Sequence, residues 1–341
     1  MTATAAPLLV TGASGFLGRH LLEVCTPAQQ PLLALVRDAQ SWRAENWTAE
    51  HENVRLVEGS VTELDPQSSA LPPLGGIFHL AALVRHSRRN AEEVYETNVQ
   101  GTLRMVHLAA AHGCRLVVLS STGTVGCSRD PDFLADEETP HCAGEVTGWP
   151  YYRSKLFAEE LILEACSEAF ETLTVNPSLL LGPDAPRASS LDLVSRYLSG
   201  GVPALPPGGL AFVDVRDAAA GVCDALERGE PGQRYLLNSA NMTFVEFFER
   251  LARLEGTKAP ALRLPRAAHR LMAFLPRAVS DRLPGASDLE PEEVEMASHY
   301  WYADASKAKD ELSWTARDPG LTLDDTLRYL QGLGISGVPS G

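Results

Sequence analysis

The amino-acid sequence predicts an α/β fold built on a doubly wound parallel sheet, with a smaller, mostly helical C-terminal lobe. Three observations carry that prediction. Short apolar runs alternate with longer helical patterns through the first half of the 341 residues, a glycine-rich turn follows the first run, and after about residue 180 prolines and glycines crowd the chain. Alternation of this kind yields parallel strands joined by right-handed crossovers, with helices on both faces.

The first strand is LLVT from Leu8, which runs into TGASGFLG, a turn that opens a helix. LLALV from Leu32, VRLVE from Val54, GIFHLA from Gly76, RLVVLSS from Arg115 and TLTVNP from Thr172 are the next five strands. Residues 90–113 read as one long amphipathic helix closing on Gly113, a residue type suited to a left-handed C-terminal cap. Beyond LGPDAPRASS and GGVPALPPGGLAF, helical patterns outnumber strands; the segment 288–314 starts acidic and helical, then carries an aromatic run, His299 to Tyr302, expected to dock the lobe on the sheet. The expected division is 7–180 for the sheet domain and 181–335 for the lobe, with residues around 211–240 returning to the sheet. Residues 1–6 and the final GLGISGVPSG are expected to be loose.

Hydrophobic residues make up 45% of the chain, enough to fill a core. A formal charge of -15 argues against a nucleic-acid or anionic-membrane surface, whose usual footprint is a basic stripe. Six cysteines are scattered without a C-x-x-C or a His/Cys cluster, so no metal site or disulfide framework is expected. The first residues lack a basic stretch of the signal-peptide kind and no apolar run is long enough to span a bilayer, so a cytoplasmic protein is expected.

The glycine spacing G-x-x-G-x-x-G, after a strand and before a helix, is the context in which a dinucleotide turn is credible. Gly12 makes the turn, Gly15 lets backbone approach a pyrophosphate and Gly18 lets helix pack on strand, with Ser14, Phe16 and Leu17 of the same turn at the cofactor. The helix N-terminus then favours the phosphate charge. At the end of the second strand stands Arg37, a residue suited to a 2′-phosphate, followed by Asp38, which could instead accept from a ribose hydroxyl. NADP(H) is therefore the favoured cofactor, with NAD(H) the alternative. Ser60 and Val61 would lie near the adenine, and Leu80, Ala81 and Ala82 near ribose and pyrophosphate.

PYYRSK, at 150–155, offers two tyrosines. Residues four apart share a helix face, so Tyr151 pairs with Lys155 and Tyr152 points aside. An ammonium beside a phenol favours the phenolate and lowers the tyrosine pKa, suiting Tyr151 to proton transfer. The fifth strand ends at the sheet's carboxyl edge, where ligands of such folds bind, and supplies Ser120, Ser121 and Thr122, one of which could hold a reacting carbonyl.

TGASGFLG, HLAA, YETNVQGT, VVLSST, PYYRSK, NPSLLLGP and FVDVRDAA, in that order, resemble the extended short-chain dehydrogenase/reductase superfamily, whose Rossmann-fold members include NAD-dependent epimerases and dehydratases. The resemblance implies Tyr151 as general acid/base and Lys155 holding the nicotinamide ribose. It also implies Asn98 at a proton-relay water, Pro177 and Ser178 at the cofactor, and a homodimer paired through the helices at 90–112 and 151–168. Ser121 aligns with the catalytic serine of the reductase-like branch and Thr122 with the threonine of the sugar-nucleotide branch; Ser121 is preferred. The residues look most like dihydroflavonol reductases, cinnamoyl-CoA reductases and 3β-hydroxysteroid dehydrogenase-like enzymes, which implies hydride transfer between NADP(H) and a carbonyl of a small hydrophobic molecule. A nucleotide-sugar epimerase or dehydratase is the alternative; against it, Leu210 stands where those enzymes place an arginine, and Gly123 and Thr124 follow Thr122 where dehydratases carry an Asp-Glu pair. A catalytically idle NADP-binding sensor or scaffold is the alternative of another class. The substrate is expected against Leu83, Val84 and His86, the loop after Gly182 and apolar residues of the lobe (Leu191, Leu193, Val194, Tyr197, Leu198, Leu205), most of which could equally be helix core, with Arg85, Arg88 and Arg89 read as a solvated helix entrance.

Overall fold

The computed structural model describes residues 5–25, 30–44, 53–67, 71–184, 189–202, 204–266 and 290–335. Of the termini expected to be loose, residues 1–4 and 336–341 lie outside them, as do residues 185–188, whereas residues 332–335 are ordered: the last helix runs to Gly332 and Ile335 packs on the lobe core. The apolar runs read as strands form β1 (Leu8–Thr11), β2 (Leu32–Val36), β3 (Val54–Glu58), β4 (Gly76–His79), β5 (Arg115–Leu119) and β6 (Thr172–Pro177). β7 (Leu179–Leu181), β8 (Ala204–Leu205), β9 (Gly209–Asp214), β10 (Arg234–Leu237), β11 (Ala240–Thr243) and β12 (Leu262–Arg263) follow. The main sheet has the order β10-β6-β5-β4-β1-β2-β3 and is parallel throughout. β1 sits centrally, Leu8 pairing with Leu32 on one side and Gly76 on the other. Strand order reverses between β1 and β4, and ligands of open α/β sheets bind at the carboxyl ends beside such a point. GIFHLA and RLVVLSS are strand only as far as His79 and Leu119, so Leu80–Ala82 and Ser120–Thr122 become loop at that edge.

Helices α1 (Phe16–Cys25), α2 (Ala39–Ala44), α3 (Ala91–Tyr95), α4 (Gly101–His112), α5 (Ala143–Val146), α6 (Pro150–Ala165), α7 (Asp192–Leu198) and α8 (Val215–Arg228) alternate with the strands. α1 and α8 close one face of the sheet, their Cys25 and Cys223 sulfurs 2.6 Å apart as free thiols. α4 and α6 close the other. Strands buried on both faces must be apolar throughout, which is why LLVT, LLALV and GIF read as continuous runs rather than alternating ones. Each fully buried Leu, Val or Phe of this core contributes roughly 1.5–3 kcal/mol.

The helix expected over 90–113 is interrupted. A π-helical turn, Glu96–Gln100, separates α3 from α4, and the C-cap is Gly113 at φ 58°. Such a bulge inserts a residue and redirects the side chains around it. Here it carries Asn98 inward.

The lobe packs a three-stranded sheet, β11-β9-β7, against α9 (Phe244–Glu255) and α12 (Pro319–Gly332), with Phe212, Phe247 and Phe248 fully buried between them. α9 begins on a capping box, Thr243 bonding the Glu246 backbone and Glu246 returning to Thr243. α10 (Pro291–Met296) and α11 (Ser306–Leu312) lead into α12. Leu191, Val194, Leu198 and Leu205 belong to the lobe core, with Leu193 and Tyr197 packed against it, because an amphipathic helix puts its apolar stripe there first. The aromatic run joins the lobe to the sheet domain: Tyr300 bridges Ser128 and Gly209, and Trp301 stacks on Tyr152 of α6. Among the described residues, no helix is long and apolar enough to cross a membrane.

Candidate active site

At the carboxyl end of β1, Gly12 turns the chain at φ 68°, where a Cβ would lie 2.6 Å from the Ala81 nitrogen. Gly18 packs α1 on the same turn; a Cβ there would come within 2.7 Å of the Ala13 Cα. Only glycine fits this cradle. Ser14 and Gly15 are exposed above it, Phe16 is half-buried, and Leu17 turns into the core. The Leu80 and Ala81 amides bond to the Thr11 carbonyl (3.2 Å) and hydroxyl (3.2 Å), fixing HLAA beside the turn, with Ala82 half-buried next to it. Thr11 also meets buried His79 Nδ1 at 2.8 Å, and His79 Nε2 meets Thr102 at 3.0 Å. Burial, then the Lys155 charge, brings His79 down to about 3, so it serves as a neutral brace.

Arg37 is exposed at the end of β2. Asp38 beside it accepts from the Ser41 hydroxyl (2.6 Å) and from the Gln40 and Ser41 amides, capping α2, and these bonds hold its carboxyl below the usual value. Ser60 closes a local turn with Thr62, and Val61 is buried against Gly101. The open α1 N-terminus, the glycine cradle and the exposed Arg37 fit a nicotinamide dinucleotide. Pro177 and Ser178 are buried, and the Ser178 hydroxyl is engaged by Leu237 and Asn238, so its side chain braces the end of β10.

Pro150 occupies the first turn of α6, where its missing amide is harmless. That start aims Tyr151 and Tyr152 at the edge of the sheet. Tyr151, half-buried, meets the His86 ring edge-on at 5.7 Å. Tyr152 is the packing member: it stacks on Trp301 at 4.7 Å, meets Trp149 at 6.4 Å, and lies so close over Gly123 that a Cβ there would fall inside its ring. Burial pulls His86 down to about 4 against the opposing charge of Glu292.

The expected lowering of the Tyr151 pKa is corrected: burial pushes the phenol up to about 12. The rings around it desolvate the phenolate, while the Lys155 ammonium is drawn to the Leu119 carbonyl at 2.6 Å. Lys155 is itself buried, and burial brings it down to about 8 against the pull of Glu159.

Ser121 is half-buried, and its hydroxyl accepts from the Gly123 amide at 3.1 Å, capping the turn Thr122–Thr124; Thr122 is buried. The more accessible hydroxyl is therefore that of Ser121. Asn98 is clamped on backbone: its Oδ1 accepts from Leu83 N (2.7 Å), and its Nδ2 donates to Leu83 O (3.1 Å) and Ser154 Oγ (2.9 Å). With its amide so occupied, Asn98 fixes the backbone at Leu83, and Leu83 and Val84 are half-buried. Arg85, Arg88 and Arg89 are exposed, as a solvated helix entrance would be, and Arg88 in addition reaches Glu295 (2.7 Å) and Gly148 O (3.0 Å).

Sequence reasoning missed Glu159, Asn176, His141 and Arg234, which converge behind Lys155. The signal was available: Glu159 stands four residues after Lys155 on a helix face that is otherwise buried. Trp301 was noticed only as part of an aromatic run.

A family model described as the NAD dependent epimerase/dehydratase family matches residues 8–237. A Synechocystis protein provisionally named a dihydroflavonol 4-reductase is 29% identical over 331 residues, covering 95% of this chain and 94% of that one. A 4-hydroxy-2-methyl-3-oxo-4-farnesyl-3,4-dihydroquinoline-1-oxide ketoreductase of Stigmatella aurantiaca is 28% identical over 279 residues, 78% of each chain. Among solved structures, gox2253 superposes with a TM-score of 0.82 at 28% identity, covering 97% of this chain and 99% of that one. The chain belongs to the NAD-dependent epimerase/dehydratase family of extended short-chain dehydrogenase/reductase type, and it is an NAD(P)-dependent oxidoreductase.

Proposed function

We propose that this enzyme is an NADP(H)-dependent carbonyl reductase acting on a ketone or aldehyde of a hydrophobic small molecule, with Tyr151 as the proton donor. The observation that carries the reading is the state of Tyr151: a phenol pushed up to about 12 by burial, one helical turn from a buried lysine and at the sheet edge that bears Ser121. A phenol that keeps its proton at neutral pH is suited to protonating the oxygen of a carbonyl as it is reduced. The bound nicotinamide would supply the hydride. Ser121 would orient the substrate oxygen, Tyr151 would give it a proton, and the Lys155 ammonium would favour the phenolate left behind.

NADP(H) is supported by Arg37, exposed where a 2′-phosphate would stand, and by the engagement of Asp38 in capping α2. A hydrophobic substrate is supported by the wall of Leu83, Val84, His86 and Trp301, and by a relative whose name specifies a farnesylated quinoline. Against a sugar nucleotide, Leu210 is buried in the lobe core, and Tyr152 occupies the space a side chain at position 123 would need. NADPH oxidation with a panel of apolar ketones and aldehydes tests the reading. Consumption matched by alcohol product, lost in Tyr151→Phe, is expected; a nucleotide sugar converted with no net NADPH consumption would overturn it.

A further inference from the structure

We propose that Glu159 is the positioning residue of the Tyr151–Lys155 pair: its buried carboxylate keeps Lys155 charged and ties the helix of the proton donor to the loop that carries Ser121. The inference rests on the reading of Tyr151 and Lys155 above. Tyr151, Lys155 and Glu159 stand four residues apart on α6 and so share one face. Lys155 is 5% exposed and Glu159 1%. A buried ammonium without a nearby anion gives up its proton.

Glu159 is held from several elements at once. Its Oε2 accepts from Ser120 at 2.6 Å and Asn176 Nδ2 at 2.8 Å, with Thr124 Oγ1 at 3.1 Å. Its Oε1 meets Arg234 Nε at 2.8 Å and His141 Nε2 at 3.1 Å. Ser120 directly precedes Ser121, and Asn176 also donates to the Ser121 carbonyl at 3.1 Å. Donors converge on both oxygens, so an acceptor-only group is required; an amide would turn its own NH2 against one set. The titratable and charged groups around the pair are His79 from β4, Tyr151 from α6, His141 from the loop before α5 with Glu160 3.6 Å from it, and Arg234 from β10. Burial works against the Glu159 carboxylate, but the His141 bond, the Arg234 charge and the Ser120 bond outweigh it and hold its pKa below the usual range. His79 stays neutral, and the ionised Glu159 offsets the desolvation of Lys155.

The chain has only four lysines, Lys155, Lys258, Lys307 and Lys309. Lysine-selective 13C labelling of the full-length, cofactor-free protein therefore resolves Lys155 directly, with Lys155→Arg assigning its signal. Glu159→Gln is expected to lower the Lys155 titration by on the order of one pH unit or more, whereas Glu159→Asp, which keeps the charge, restores it to within about half a unit. Ser120→Ala, which removes one hydrogen bond and no charge, leaves it in place. The alkaline limb of kcat/KM for carbonyl reduction should move with the titration. A folded Glu159→Gln protein whose Lys155 titrates as in the wild type would overturn the proposal. Should Glu159→Gln not fold, the double variant Glu159→Gln/Arg234→Gln, which removes the carboxylate together with the cation it would leave unpaired, takes its place: the Lys155 titration is again expected to fall, and no change would overturn the proposal equally. A shifted titration in an enzyme that still turns over as Tyr151→Phe would sink the catalytic reading of Tyr151 and leave the Glu159–Lys155 coupling standing.

Discussion

At the first turn of α6 the side chains meet rings, whereas at the second and third turns they meet hydrogen-bond donors and acceptors. Tyr151 and Tyr152 lie among His86, Trp149 and Trp301; Lys155 and Glu159, on the same helix, lie among the Leu119 carbonyl, Ser120, Asn176 and Arg234. Both environments withdraw their side chains from water, partly at the tyrosines and fully at Lys155 and Glu159, yet they act on charge in opposite ways. Rings desolvate the phenolate and keep Tyr151 protonated, while the polar side compensates a carboxylate and, through it, a cation. Burial alone thus does not decide a protonation state; the partners that burial brings do.

The largest effect should separate the two tyrosines. Tyr151→Phe is expected to lower kcat/KM for carbonyl reduction by about 10²–10⁴-fold with the fold intact, whereas Tyr152→Phe should stay within about tenfold, because Tyr152 contributes its ring to packing. The opposite order would break the division between proton donor and packing ring. Next is Gly123→Ala, which drives a methyl into the Tyr152 ring and should destabilise the protein by about 1–3 kcal/mol, read as a fall in Tm. An unchanged Tm would mean that the aromatic side is loosely packed.

The polar side is tested by pH. Lys155 holds its proton below about 8 and loses it above, so kcat/KM for reduction should be level below that value and fall as pH rises through it, by up to about tenfold per unit. A rate still level at pH 9.5 would show that the cation is not needed. The smallest effect belongs to Arg88, half-exposed although paired with Glu295: Arg88→Ala should change stability by no more than about 1 kcal/mol by denaturant titration.

Much of the fold was legible because its signals are local. All six runs of the first half became strands of the main sheet: the central ones are covered on both faces and read as continuous apolar runs, the edge strand β3 keeps Arg55 and Glu58 exposed, and a glycine triplet after the first run specifies the turn. The helix over 90–113 was legible in its ends and not in its middle: Gly113 caps it, but the π turn at Asn98 answers to the Leu83 backbone, fifteen residues away in sequence and on a different segment. Arg88 illustrates the same limit, since its partner Glu295 comes from the far lobe.

By itself, the sequence determined the doubly wound sheet, the glycine cradle, the shared helix face of Tyr151 and Lys155 and the position of Arg37, because strand burial, turn chemistry and helical periodicity are all set by residues near one another in the chain. Only the tertiary structure decided which groups are charged and which hydroxyl is reachable. Those depend on Trp301 closing over Tyr152, on Leu119 and Glu159 facing Lys155, and on Arg234 and Asn176 arriving from neighbouring strands to hold Glu159. Desolvation and Coulomb forces act across space rather than along the chain, so they exist for these residues only once the sheet has brought them together.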